Sequence, residues 1–413
     1  MKQRDSEVAR LISLEEERQA STINLIASEN YASRAVLGVQ SSILTDKYAE
    51  GYPGRRYYSG CVNVDEIENL ANERAKELFR AGHSNIQAHS GSQANMAAYS
   101  VLVEHGDTVM GMRLSHGGHL THGSDVNFSG KWYHFVPYGV DRKTEMLDYD
   151  ELEELALKHK PKLIIAGASS YSRVIDFERF RDIADRIQAR LLADMAHIAG
   201  IVAAGLHPSP VPHAQVTTST TQKTLRGPRG GFILCDEELA SAIDSAVFPG
   251  MQGGPFMNII AAKAVCFCEA MQPEFVSYQK SVLDNARVLA SELQDRGMRI
   301  VSGGTDNHMV MVDLSPRGIT GRDAEEALLA AGISVNRNAI PFDTQPPRIT
   351  SGIRMGTPAV TSRGFGREQI GQVAAFIARV LSSSEDTEAQ EQVRREATEM
   401  CRQFPIPGLT WSI

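Results

Sequence analysis

Apolar positions along this chain alternate between helical spacing and short continuous runs. Val64 to Arg80 carries Ile67, Leu70, Ala71, Leu78 and Phe79 on one helical face, with Asp65 in the first turn and Gly82 as a suitable stop. A helix from about Gln93 to Glu104 follows the polar turn HSGS. Phe177, Phe180, Ile183, Ala184 and Ile187 predict the buried stripe of another. Between them stand runs of strand length: Lys162 to Ala166, Arg190 to Ala193 ending at Asp194, and Gly231 to Leu234. Strand–helix alternation predicts a largely parallel sheet covered on both faces, with ligands bound beyond the carboxyl ends of its strands. Asp194 and the residues after Ile165 hold such positions.

The pattern changes further on. Ile259 to Met271 reads as a helix stopping before Pro273, and a long helix follows from about Phe275 to Gly297. A strand at Met309 to Asp313, a helix at Arg322 to Ala331 and a charged helix over 384–403 predict a smaller α+β domain. Residues 1–40 read as a helix and an irregular segment. The expected divisions are an N-terminal arm (1–50), a large domain (51–272) and a small C-terminal domain (273–413), in an α/β fold with a mostly parallel sheet.

Composition narrows the class. The chain has 413 residues, 42% hydrophobic and 22% charged, enough for a substantial core. A net charge of −8 argues against nucleic-acid partners. Met1 to Glu17 is charged and lacks the apolar core of a signal peptide, and no run of about 18 apolar residues exists to span a membrane. Cys61, Cys235, Cys266, Cys268 and Cys401 are few and scattered, which fits a reducing, cytoplasmic setting.

Chemistry concentrates in a few stretches. VTTSTTQKTLRGPRGG (Val216 to Gly231) sets Lys223 among six small hydroxyl residues before a glycine-rich turn. That suits an imine-forming lysine in a compact polar pocket, or a lysine in a solvated loop. In HSGSQAN (His89 to Asn95), Gly91 and Ser92 open a helix whose free N–H groups could cradle a phosphate, or simply form a capped end. Asp194, in LLADMAHIAG, could pair with a protonated pyridine nitrogen, cap a helix or form an ion pair. His116, His119 and His122 recur every third residue, but Gly117 and Gly118 disfavour the helix that would align them on a metal. No metal is expected; an imidazole on a glycine turn better suits stacking on an aromatic ring. Arg354, in SGIRMGTPA, suits bidentate capture of a carboxylate or a surface position. Together these are the parts of an amino-acid enzyme using pyridoxal phosphate. The segment TDKYAEGYPGRRYYSGC (45–61), with four tyrosines, three glycines and a proline, reads as a site-bearing loop.

The chain resembles the serine hydroxymethyltransferase family from about Leu11 to Pro405. The resemblance is carried by LIASENY (25–31), KYAEGYPGRRYY (47–58), HSGSQAN, HGGHLTHG (116–123), DMAHIAG (194–200), KTLRGPRGG (223–231), FPGMQGGP (248–255) and SGIRMGTPA (351–359). It implies a fold-type I pyridoxal-phosphate transferase that moves a hydroxymethyl group between serine and tetrahydrofolate by Cα–Cβ cleavage of an external aldimine. Glycine and 5,10-methylenetetrahydrofolate are the implied products, from a cytoplasmic homodimer or homotetramer with shared active sites.

By position, the resemblance makes Lys223 the Schiff-base lysine, with Gly91, Ser92 and the partner-donated Gly254 holding the phosphate. His119 stacks on the ring, Asp194 pairs with its nitrogen, and His197 and Ser169 contact its oxygen substituent. Ser28 and Arg354 bind the substrate carboxylate. Tyr48, Glu50 and Tyr58 reach in from the neighbouring subunit, Glu50 as the acid–base group. Leu114, Gly118, Leu120, Tyr57, Asn338, Gln345, Pro346 and Pro347 are implied at the folate site.

Gln222, Asn24 and Asn258 depart from the family pattern, which has histidine, glutamate and histidine there. Gln222, directly before the lysine, bears on substrate choice because glutamine cannot become cationic. The alternatives are a hydroxymethyltransferase acting on 2-methylserine to give alanine, a folate-independent β-hydroxy amino-acid aldolase, and a non-enzymatic homologue. Intact Lys223, Asp194 and Arg354 argue against the last.

Overall fold

The computed structural model describes residues 5–408. The chain forms two compact units: Ala32–Gln279, and the residues up to Tyr31 together with those from Lys280 onward. The boundary falls inside the helix Pro273–Asp295.

Ala32–Gln279 holds a seven-stranded sheet. Its strands are β1 (His83–Asn85), β2 (Thr108–Met112), β3 (His134–Tyr138), β4 (Leu163–Gly167), β5 (Arg190–Asp194), β6 (Val216–Thr220) and β7 (Gly231–Cys235). Their order is β1-β7-β6-β5-β4-β2-β3; β7 is antiparallel to both neighbours and the other pairs are parallel. The register sets Gly167 and Asp194, the last residues of β4 and β5, beside Thr218 in the middle of β6. The three strands read from the sequence lie within a residue of their expected bounds.

β6 is fully buried although four of its five residues carry hydroxyls. Val and Thr are β-branched and fit a pleated interior, so the hydroxyl-rich run is a central strand that delivers Lys223 to the sheet's end.

Helices α1 (Val62–Phe79), α2 (Gly91–Leu102) and α3 (Met257–Ala270) belong to this unit. Ala94, Ala97, Ala98 and Tyr99 of α2 share a core with Val109, Ile165, Leu192, Val216 and Ile233 of the sheet. The alanines let the helix axis sit close to the strands. α1 ends on Arg80 in the left-handed conformation, φ 58°, rather than at the expected Gly82.

The other unit carries an antiparallel sheet of β8 (Arg299–Ile300), β9 (Met309–Asp313), β10 (Asn336–Asn338) and β11 (Gly352–Gly356), in the order β8-β9-β11-β10. The two-residue strand Ile23–Asn24 pairs in parallel with Ile333–Ser334, so the amino-terminal segment is part of this unit. The buried Arg363 guanidinium donates to the carbonyls of Ala20, Thr22, Cys401 and Phe404. It thereby satisfies acceptors that the helices Ser6–Ser21 and Thr387–Gln403 leave open at their ends. Among the described residues no helix is long and apolar enough to cross a membrane.

Candidate active site

Asp194 closes β5 and is held from three sides. Its Oδ2 accepts from Asn95 Nδ2 at 2.9 Å and His122 Nε2 at 3.1 Å, and its Oδ1 accepts from the Ala196 N–H at 3.0 Å. Burial opposes ionisation of Asp194, but these donors and the nearby imidazoles hold its carboxyl below the ordinary carboxylate range. Asn95, on α2, is 1% exposed. Its Nδ2 also donates to Thr121 Oγ1 at 2.7 Å, and its Oδ1 accepts from the Thr218 hydroxyl of β6.

The histidines do not converge at their regular spacing. His116 Nδ1 accepts from the Val140 N–H at 3.2 Å, and His116 stands outside the Asp194 cluster. His119, His122 and Asp194 do meet, with ligand-type atoms within 4.8 Å of one another. The His119 backbone N–H donates to His122 Nδ1 at 3.2 Å, which places the His122 proton on Nε2, facing Asp194. His122 therefore has both ring nitrogens engaged, so the trio works as a hydrogen-bonded support for the carboxylate.

His119 Nδ1 accepts from the Thr121 N–H at 3.2 Å and lies 2.7 Å from the Thr121 hydroxyl. Burial lowers its pKa to about 4, with the charge of Lys223 acting in the same direction. The ring is neutral near pH 7 and fits as a flat stacking partner.

Lys223 is half-buried, and the chain on either side of it is pinned. The Gly227 N–H donates to Thr221 O at 2.7 Å. Thr224 Oγ1 donates to His197 O and accepts from the Gly200 N–H, both at 2.9 Å. Gln279 Nε2 holds Thr224 O at 2.7 Å, and the Arg226 guanidinium lies 4.7 Å over the Tyr278 ring. This is an ordered turn rather than a solvated loop. His197 is buried, and Ser169 is tied to the histidine loop by its N–H on Gly117 O at 2.7 Å.

Ser90 caps α2 by accepting from the Gln93 N–H at 3.2 Å, so Gly91 and Ser92 fall in the first turn, whose N–H groups have no intrahelical acceptor. A Cβ on Gly91 would stand 2.6 Å from Thr220 Cγ2. The Thr220 hydroxyl is buried without a hydrogen-bond partner. A space that a Cβ would fill, open N–H groups and an orphaned hydroxyl form a donor set that fits the phosphate of pyridoxal phosphate. Sequence reasoning did not single out Thr220, Asn95 or Thr121 as site residues, and it weighed His122 only as a metal ligand. The signal for Thr220 was its place three residues before Lys223.

A second group lies in the same unit. The Tyr48 and Tyr58 rings meet edge to face at 5.1 Å. Gly254 lies against Tyr48, and Gly253 against the Glu50 carboxylate. The Glu50 charge raises the Tyr58 pKa. Arg56 braces the loop: its Nη1 donates to Ala49 O at 2.9 Å and Gly51 O at 2.7 Å, on either side of Glu50. Its other nitrogens engage Asp65 at 2.8 Å and the buried Glu68 at 2.6 Å. Tyr48, Tyr57 and Tyr58 remain substantially exposed, as do Leu114 and Leu120 flanking Gly118.

Ser28, Arg354, Asn338, Gln345, Pro346 and Pro347 fall in the other unit. The Gly356 N–H donates to Leu25 O at 2.8 Å, and a Cβ there would meet Ala27 Cα at 2.5 Å, so the 25–28 segment lies directly on β11. Arg354 Nε donates to Asn336 Oδ1 at 3.1 Å. Burial lowers the guanidinium to about 10, which leaves it cationic near neutral pH. Residues 345–347 are exposed.

The three departures from the family pattern are each accommodated. Asn24 donates to Glu29 at 2.8 Å and accepts from the Ile26 N–H at 3.0 Å. Asn258 donates to Gln40 O at 2.9 Å, and Gln222 Oε1 accepts from the Gly230 N–H at a long 3.4 Å.

The sheet, the pinned lysine beyond β6 and the carboxylate ending β5 define a pyridoxal-phosphate-dependent enzyme of the fold-type I class. A family model described as "Serine hydroxymethyltransferase" matches residues 1–377. Proteins named serine hydroxymethyltransferase from Dehalococcoides mccartyi strains CBDB1 and BAV1 are each 58% identical over 410 residues, covering 99% of this chain and 99% of theirs. The chain belongs to the serine hydroxymethyltransferase family.

Proposed function

We propose that this chain transfers a hydroxymethyl group from serine to tetrahydrofolate, giving glycine, 5,10-methylenetetrahydrofolate and water. The carrying observation is Asp194, kept ionised at the strand end by Asn95 and His122. Full-length identity to proteins named for this activity supports the same reading. When bound, pyridoxal phosphate supplies an electron sink for the pair left on Cα when the Cα–Cβ bond breaks.

The chain's residues do the rest. Lys223 is the attachment point, and the first-turn N–H groups of Gly91 and Ser92, with the Thr220 hydroxyl, receive the phosphate. Asp194 would set its negative charge against the ring nitrogen, and neutral His119 would offer a flat surface to the ring. His197 and Ser169 would hold the ring's oxygen substituent. Arg354 and Ser28 fix the amino-acid carboxylate. Glu50, beside Tyr58, moves the proton of the substrate hydroxyl. Leu114, Leu120, Gly118 and Tyr57 offer apolar and flat surface suited to a pterin; Asn338, Gln345, Pro346 and Pro347 are assigned to folate by the family resemblance alone.

Ala32–Gln279 serves as the cofactor domain, and the remainder supplies carboxylate recognition. The exposed Tyr48, Tyr57 and Tyr58 and the neighbouring Gly254 support an active site shared in a cytoplasmic homodimer or homotetramer, in which these residues serve the partner's cofactor. Light scattering on the holoprotein checks the assembly; a monomer contradicts it.

The decisive experiment gives purified holoprotein serine, 2-methylserine and allo-threonine, each with and without tetrahydrofolate. Folate-dependent turnover of serine is expected. Turnover of 2-methylserine alone, or folate-independent cleavage alone, overturns the assignment and moves the weight to Gln222.

A further inference from the structure

Lys263, on α3, is 1% exposed and has no part in the chemistry above. Its Nζ donates to Ile86 O at 2.6 Å, Gly231 O at 2.7 Å and Ala88 O at 3.0 Å. That is one acceptor for each ammonium proton, and none belongs to its own helix. A lysine so buried is uncommon unless its charge is used.

The acceptors surround the phosphate cradle. Ala88 leads through His89 into Ser90 and Gly91, and the Gly231 N–H donates to Ala88 O at 3.0 Å. A Cβ on Gly231 would lie 2.3 Å from Ser90 O, and one on Gly230 would lie 2.6 Å from Lys263 Cε. The ammonium, the glycine turn after Lys223 and the start of α2 are therefore one packed block. Two charged or titratable groups act across it. Burial and the Lys263 charge both lower the His89 pKa, and Glu68 supplies the opposing negative charge. Burial pulls the Lys263 pKa down to about 7, while three carbonyl acceptors favour the protonated form.

We propose that Lys263 is a positioning residue for the cofactor's phosphate: it draws three backbone carbonyls onto its ammonium and so leaves N–H groups, not carbonyl dipoles, facing the anion. The buried charge also acts across a medium that screens it poorly. The proposal rests on the reading that Gly91 and Ser92 hold that phosphate.

The test compares two aldehydes that react with the same lysine, pyridoxal 5'-phosphate and pyridoxal, which lacks the phosphate. The full-length protein, freed of cofactor, is titrated with each and followed by visible absorption. In Lys263→Met, affinity for pyridoxal phosphate is expected to fall about tenfold or more while that for pyridoxal is unchanged. Lys263→Arg should recover part of the loss. Should the methionine variant be insoluble, Lys263→Gln, which keeps two donors, is read by the same ratio. An equal loss for both aldehydes, or no change in their ratio, overturns the proposal. If the wild type itself shows no preference for the phosphorylated aldehyde, the phosphate assignment of Gly91 and Ser92 fails instead.

Discussion

Asn95 and Asp194, 99 positions apart, meet through one hydrogen bond, Nδ2 to Oδ2 at 2.9 Å, from an amide whose other contacts fix it in place. Asn95→Leu removes a buried donor to a charged acceptor and should cost about 1.5–3 kcal/mol. Asn95→Asp should cost more, because it sets a second carboxylate against the first. Denaturant unfolding of the holoprotein measures both, and cofactor release should quicken in the same order.

Acid sensitivity should come in two stages. His116 and His119 are each lowered from 6.5 to about 4 by burial, so the unfolded chain takes up protons first and stability falls as the pH drops through that interval. Asp194 is depressed in the fold; its contribution is present above the ordinary carboxylate value of about 3.9 and is lost below it. His119→Phe keeps a flat ring and removes one of the two histidines. Its stability should vary less than the wild type's between pH 6.5 and 4, measured by urea unfolding across that range.

Gly91→Ala should weaken cofactor binding and destabilise the fold by about 1–3 kcal/mol, because the new methyl meets Thr220 Cγ2 at 2.6 Å. Thr220→Ser removes that methyl and keeps the hydroxyl. The double variant should regain much of the lost affinity in a cofactor titration; no recovery would mean the clash lies elsewhere.

Arg56→Lys should leave the visible spectrum of the bound cofactor intact but lower kcat on the order of a hundredfold, since one ammonium cannot reach Asp65 and Glu68 while also holding Ala49 O and Gly51 O, and Glu50 loses its placement. Steady-state kinetics with serine and tetrahydrofolate decides this. The break in the Glu68 pair should also lower stability.

What the sequence revealed follows from the range of each interaction. LIIAG, and the LLA between the charged ends of RLLAD, are short continuous apolar runs of the kind a buried strand needs. VTTST escaped notice as a strand because its hydroxyls look like loop chemistry, and only burial on both faces reveals it. The glycines of the histidine stretch were informative, because the segment breaks into two short 3-10 turns, Leu114–His116 capped by Gly117 and Leu120–His122 capped by Gly123, instead of a continuous helix. The Lys223, Asp194 and Gly91 stretches stood out because unusual residue types cluster locally there. Asn95 and Lys263 gain their roles from partners far along the chain, and Lys263 in AAKAV looks like any helix lysine until its helix is packed.

The pairing of Ile23–Asn24 with Ile333–Ser334 has a consequence for how the molecule is made. The first strand leaves the ribosome early and must wait, its edge open, while the entire cofactor-side sheet is synthesised. Arg354 emerges after the pairing partner itself. The order of synthesis therefore assembles the residues proposed to hold pyridoxal phosphate first, and adds the arginine proposed to admit an amino acid last.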